Sequence, residues 1–173
     1  ARKKCSFDEN VMVWDVVSGS VVSQQPYPEP WLVPCIRSHP SGRFLAAQTH
    51  AEYIVRIACD QSPSAPPFKL DQSKRFEGGH QCLGSSIDIS ISPRGDLIAS
   101  GSADGRIAFY DWNTSRFLGH LDHFVSLSPS PSPPPPPSLS SLAPVSVPHV
   151  EFHPLLEGCL SSLTSDSHLS LFC

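Results

Sequence analysis

The feature that most restricts this chain is residues 87–111, IDISISPRGDLIASGSADGRIAFYD, where three apolar runs are separated by two turns. Ile87, Ile89 and Ile91 alternate with Asp88, Ser90 and Ser92, a period of two that buries one face of a strand and wets the other. Pro93-Arg94-Gly95-Asp96 then combines a residue whose φ is preset for a turn with a glycine that tolerates positive φ, so the chain must reverse before Leu97-Ile98-Ala99. Ala103-Asp104-Gly105-Arg106 repeats the device, because Asp-Gly between two alternating apolar runs is a strong short hairpin signal, and Ile107, Phe109 and Tyr110 form a third strand. The unit is an antiparallel meander.

The same stretch carries a family resemblance. Gly79-His80, Ser92-Pro93, Ser100-Gly101-Ser102-Ala103-Asp104-Gly105 and Tyr110-Asp111 follow one another as in a WD repeat of about 40 to 45 residues, which the family folds as one four-stranded propeller blade. The resemblance implies a buried hydrogen-bonded relay. Carried onto this sequence, its members are His80, Ser100 (with Ser102 as the other candidate), Asp104 and Tyr110. An imidazole joining a carboxylate to a hydroxyl satisfies groups that would be costly to bury alone. Tyr110 departs from the family's tryptophan, and a phenol does not donate from the position of an indole N–H, so the relay is expected to be partial.

The rest of the chain reads as worn copies of this unit. Asp8 matches Asp104, and Trp14-Asp15 matches Tyr110-Asp111, so residues 1–25 are the back half of a repeat with a short outer strand over 20–23. Residues 26–74 are a degenerate repeat: strands over 31–37, 43–49 and 53–58, with His50-Ala51 in place of Asp-Gly and Arg56 in place of tryptophan. Such a blade is either held by strand pairing alone or frees a surface for a partner. Residues 60–74 are rich in Ser and Pro and read as a loop, with at most one short strand near 68–70. Residues 75–123 are the best-preserved repeat, with one more glycine before His80 than the family's usual Glu-Gly-His. The histidine that opens the next repeat is either His120 or His123, and spacing from Tyr110-Asp111 favours His123.

Residues 124–148 break the pattern. Within 126–148 lie nine of the nineteen prolines and eight serines, a composition that supplies few ladder donors and predicts polyproline II or disorder. Residues 149–173 are a last repeat that stops after its third strand, with Asp166 at the turn and Phe172 in the tryptophan position. By resemblance to closed propellers, the strand completing that blade is expected before Ala1. The only methionine is Met12, inside a strand pattern, which also leads us to expect further sequence upstream. The fold expected is all-β: an open arc of about three to four WD blades with a disordered Pro/Ser-rich insertion.

Composition narrows the function. A net charge of -4 and pI near 6.0 argue against a phosphate-binding surface, and Arg2-Lys3-Lys4 is a cluster of only three, so direct nucleic-acid binding is not expected. No apolar run approaches the roughly 18 to 20 residues of a membrane span. The six cysteines are scattered without a C-x-x-C pair, which suits a reducing compartment. His120-x-x-His123 and His80-x-Cys82 come nearest to metal-ligand spacing without reaching it, and neither a nucleophile elbow nor a phosphate loop is present. No enzyme activity, cofactor, metal or small-molecule substrate is therefore expected.

What remains is a protein-binding module, and the resemblance extends to the WD-repeat relatives of pre-mRNA splicing factors, implying a nuclear scaffold. A different class stays open: a linear-motif protein whose working part is Pro133, Pro134, Pro135, Pro136 and Pro137, read by an SH3- or WW-type groove. Ser128, Ser130 and Ser132, each followed by proline, are candidate phosphosites in that tract. A third reading is a non-functional piece of a larger WD-repeat protein.

Overall fold

A computed structural model describes residues 10–26, 32–59, 68–123 and 145–173. Among the described residues every named element is a strand, and all strand pairing is antiparallel. A hairpin of β1 (Asn10–Trp14) and β2 (Val21–Pro26) is followed by a four-stranded sheet in the order β3 (Cys35–Ser38), β4 (Phe44–Gln48), β5 (Tyr53–Cys59) and β6 (Phe68–Glu77). A second four-stranded sheet runs β7 (Ile89–Ile91), β8 (Leu97–Ser100), β9 (Arg106–Asp111) and β10 (Phe117–Asp122). The last sheet has three strands, β11 (His149–Phe152), β12 (Leu160–Leu163) and β13 (Leu169–Phe172).

The two four-stranded sheets begin with the same turn. Gly42 donates its N–H to the His39 carbonyl at 2.9 Å, and Gly95 donates to Ser92 at 2.8 Å. The Ser92 hydroxyl then donates to Asp96 Oδ1 at 2.6 Å, holding the hairpin between β7 and β8.

Alternation along the strands feeds two cores at once. Ile98, Ala108 and Tyr110 face one way, packing with Ala46, Ile54, Phe76 and Trp112 between the β3–β6 and β7–β10 sheets. Ala99, Ile107 and Phe109 face the other way, against Val150, Phe152 and Leu160 of the last sheet. Strands buried on both faces need apolar residues at consecutive positions, which is why the alternation of 87–92 gives way to near-continuous apolar runs in β8 and β9. The β3–β6 sheet likewise has a second buried face, formed by Ala47, Tyr53, Val55 and Ile57.

Two expectations are corrected. Residues 68–74 of the expected loop instead belong to the ten-residue β6, which pairs with β5 through a bulge between Val55 and Arg56, while 60–67 lie outside the described residues. Lys74, Arg75 and Glu77 suit an outermost strand, where one edge meets water. The Pro/Ser-rich tract also ends in ordered chain: Val147 is fully buried and bridges Ser102, and Pro148 accepts the Asp88 N–H at 2.7 Å. An apolar side chain flanked by free backbone groups could join the fold despite its proline-rich surroundings. Pro133–Pro137 and Ser128, Ser130 and Ser132 lie outside the described residues, as does Asp8.

Candidate functional site

The turn between β8 and β9 sets the site. Asp104 Oδ1 accepts the Arg106 backbone N–H at 3.2 Å, and Oδ2 takes the guanidinium through Nε at 2.9 Å and Nη2 at 2.5 Å. Burial pushes the Asp104 carboxyl up, but hydrogen bonds from Arg106 and Ser102 and the Arg106 charge outweigh it and hold the group below the ordinary carboxylate range. Arg106 Nη1 also lies 3.4 Å from His120 Nδ1, and His120 Nε2 lies 2.5 Å from the Gly79 carbonyl. A carbonyl accepts, so Nε2 carries the proton and Nδ1 receives the arginine N–H. One chain of bonds thus runs from Asp104 through Arg106 and His120 to Gly79.

Both glycines ahead of His80 are required. Gly78 turns the chain at a φ of 82°, and a Cβ on Gly79 would sit 2.4 Å from the Phe117 ring and 2.7 Å from the Tyr110 hydroxyl. With Glu52 from the β4–β5 turn, these groups line a cleft of about 250 Å³ whose walls are Gly78, Gly79, His80, Gln81, Asp104, Arg106 and His120.

Beneath the cleft lies a buried relay. His80 is 4% exposed, with Nδ1 at 2.6 Å from Tyr110 Oη and Nε2 at 2.8 Å from Gln48 Nε2. The Gln48 amide nitrogen also faces the Thr49 carbonyl at 3.2 Å, which fixes it as a donor. His80 Nε2 therefore accepts, and Nδ1–H donates to Tyr110. Burial lowers His80 to about 4, opposed by the nearby Asp104 charge, so the ring is neutral. Burial likewise pushes the Tyr110 phenol well above its usual range.

Of the four residues expected in this relay, the structure brings His80 and Tyr110 into contact and places the other two elsewhere. Ser100 donates to the Gly101 carbonyl at 3.0 Å, the other candidate Ser102 accepts the Gln81 N–H at 3.0 Å and bonds Asp104, and Asp104 is taken up by Arg106. The partner that sequence reading missed is Gln48 of the preceding sheet. Ala46 pairs with Arg56 as Ile98 pairs with Tyr110, so Gln48, two residues on, occupies the register position of Ser100. That a buried polar residue stands there in both sheets is the signal that could have found it.

The sheet β3–β6 is not held by strand pairing alone. Arg56 places its guanidinium 4.6 Å from the Phe44 ring centre and 6.0 Å from Trp112, while His39 stacks on Trp112 at 4.4 Å. A cation among ring faces keeps favourable electrostatics where tryptophan is absent. In the last sheet His123, 4% exposed, takes the position His80 holds in its own sheet: Nδ1 lies 2.7 Å from Ser162 Oγ and Nε2 3.1 Å from Ser170 Oγ. Phe172 meets that ring edge-on at 6.3 Å. Asp166 is bonded by the Thr164 hydroxyl and lies 3.7 Å from His168. At the other end Trp14 is 54% exposed, and Asp15 closes its hairpin turn by accepting from Val17 N at 2.9 Å and Ser18 Oγ at 2.8 Å.

Comparison with known proteins follows the same outline. Residues 72–111 match the family model described as WD domain, G-beta repeat. The chain is 30% identical over 115 residues to WD repeat-containing protein 25 of Mus musculus, an alignment covering 66% of this chain and 20% of that protein. It is 28% identical over 116 residues to pre-mRNA-processing factor 17 of Saccharomyces cerevisiae, covering 67% of this chain and 24% of the relative. The human pre-mRNA-processing factor 17 is 26% identical over 122 residues, with 66% and 20% covered. The chain thus spans about a fifth to a quarter of these relatives. The β-propeller domain of Cps50 (Swd1) from Myceliophteria thermophila superposes with a TM-score of 0.68 at 11% identity, over 95% of this chain and 45% of that one.

Proposed function

The chain is a WD40-repeat protein, and from that premise we propose that it is a non-catalytic scaffold that holds a protein partner on the turn face around Arg106. The observation that carries the reading is the cleft itself. Its rim presents Glu52, Gln81 and the Asp104–Arg106–His120 chain tied to the Gly79 carbonyl, and His80 at its floor is held by Tyr110 and Gln48. A rigid rim carrying both charge signs suits recognition of a polar segment of a folded or extended partner, since little ordering entropy is lost on the scaffold side. Similarity to WD repeat-containing protein 25 and to pre-mRNA-processing factor 17 supports placing that partner among nuclear RNA-processing proteins.

The test is affinity capture from nuclear extract with the wild-type chain, an Arg106→Glu variant and a variant lacking residues 126–143. Partners captured by the wild type are then titrated individually. We expect Arg106→Glu to weaken binding at least tenfold while the deletion leaves it unchanged. Partners that bind both wild type and Arg106→Glu equally would remove the cleft from the reading. Loss of binding only in the deletion would transfer the function to the proline tract.

A further inference from the structure

Cys159 and Cys173 face each other across β12 and β13. Leu160 pairs with Phe172 and Leu163 with Leu169, so one step beyond the ladder the opposed residues are Cys159 and Cys173. Two hydrogen bonds independently define what kind of pair this is. Thr164 donates its N–H to the His168 carbonyl at 2.9 Å, which makes 164/168 a hydrogen-bonded pair. Alternation down the ladder then makes 160/172 hydrogen-bonded and 159/173 not. From the other side, the Cys159 carbonyl accepts the His153 N–H at 2.9 Å, so the Cys159 backbone is turned toward β11 and away from β13.

A non-hydrogen-bonded antiparallel pair has its Cα atoms about 4.5 Å apart, inside the roughly 4.4 to 6.8 Å range that a disulfide spans. The two Sγ atoms lie 2.7 Å apart, within hydrogen-bonding distance of each other. Access is unequal: Cys173 is exposed, whereas Cys159 is 9% exposed. Among the described residues Cys35 and Cys82 are buried, and half-buried Cys59 stands opposite Phe68 in its ladder, so Cys159 and Cys173 are the two that face each other with one thiol exposed.

We infer that Cys159 and Cys173 form an oxidation site that closes as an intrachain disulfide when the chain meets a peroxide. The exposed Cys173 thiolate attacks the peroxide oxygen, breaking the O–O bond, forming a sulfenic acid and releasing water once protonated. The Cys159 thiolate, its proton lost to solvent, attacks the Cys173 sulfur and displaces hydroxide, which leaves as a second water. Two thiols lose two electrons and two protons, and hydrogen peroxide is reduced to two waters. The product ties the outermost strand of the three-stranded sheet to its neighbour, fixing the register of an edge whose Leu169 and Leu171 are exposed.

The chain makes the test direct. Arg116 is the last Lys or Arg, so trypsin releases residues 117–173 as one peptide containing Cys159 and Cys173 and no other cysteine. The purified native chain is treated with hydrogen peroxide, alkylated with iodoacetamide and digested without reductant. We expect this peptide to lose two hydrogens in mass and take up no alkyl group, with both groups restored by dithiothreitol. Formation should be at least tenfold faster in the native chain than in urea, because the fold holds the sulfurs together. Cys159→Ser should instead stop at a sulfenic acid trapped by dimedone on Cys173. Equal rates in urea, two alkyl groups after peroxide, oxygen gained in place of hydrogen lost, or a bond joining two chains would each overturn the inference.

Discussion

At the residue scale His80 is a buried imidazole held at both ring nitrogens. Its ring is neutral and donates to a buried phenol, so removing either partner strands a polar group away from water. Tyr110→Phe leaves His80 Nδ1–H without its acceptor and should cost about 1–3 kcal/mol in chemical denaturation. The pH dependence has a defined sign. The folded pKa, about 4, lies below the ordinary 6.5, so between these values the unfolded chain binds a proton that the folded chain refuses. Stability is fully present above about pH 6.5 and falls as pH drops toward 4, by at most about 3 kcal/mol at about 1.4 kcal/mol per pH unit. Burial lowers His123 as well, which adds to the slope in the same direction. Denaturant melts at pH 7 and pH 5 check this, and His80→Ala should flatten the difference between them. An unchanged slope in that variant would show that His80 is not the titrating group.

At the scale of elements, the contact that joins the β7–β10 and β11–β13 sheets is a backbone approach at Gly101. A Cβ there would lie 2.0 Å from the Val147 carbonyl oxygen, and Val147 N donates to Ser102 O at 2.9 Å beside it. The same strip places Pro148 O on Asp88 N and Ser146 O on Ser165 N at 2.9 Å, so residues 145–148 act as a seam between the sheets. Gly101→Ala must push this seam away. We expect a loss of about 1–3 kcal/mol, the usual cost of overpacking a filled interior, with hydrogen exchange accelerated at Val147 and Ser165 and little changed in β3–β6. Uniform acceleration in all sheets would mean that the seam and the β3–β6 sheet open as one unit.

For the whole molecule, the uneven edges matter most. Val16 and Val17 on the first hairpin are 94% and 97% exposed, and Leu155, Leu169 and Leu171 on the last sheet are 83%, 74% and 71% exposed. Apolar groups of this size beside strand edges are association surfaces, so the 173-residue chain should show concentration-dependent self-association by light scattering. A monodisperse monomer with one sharp melt would contradict this. What the sequence determined by itself was local: the meander of 87–111, the Asp-Gly and Ser-Pro turns and the all-β repeat architecture, because strand period and turn chemistry act between near neighbours. The doubled glycine before His80 was visible too, though its reason was not. Tertiary structure alone decided that Gln48 completes the His80 relay from the preceding sheet, that Arg56 rests among Phe44 and Trp112, and that Val147 joins the core. Each of these depends on residues far apart in the chain meeting across sheets, and no periodicity within one strand encodes which residue will stand opposite.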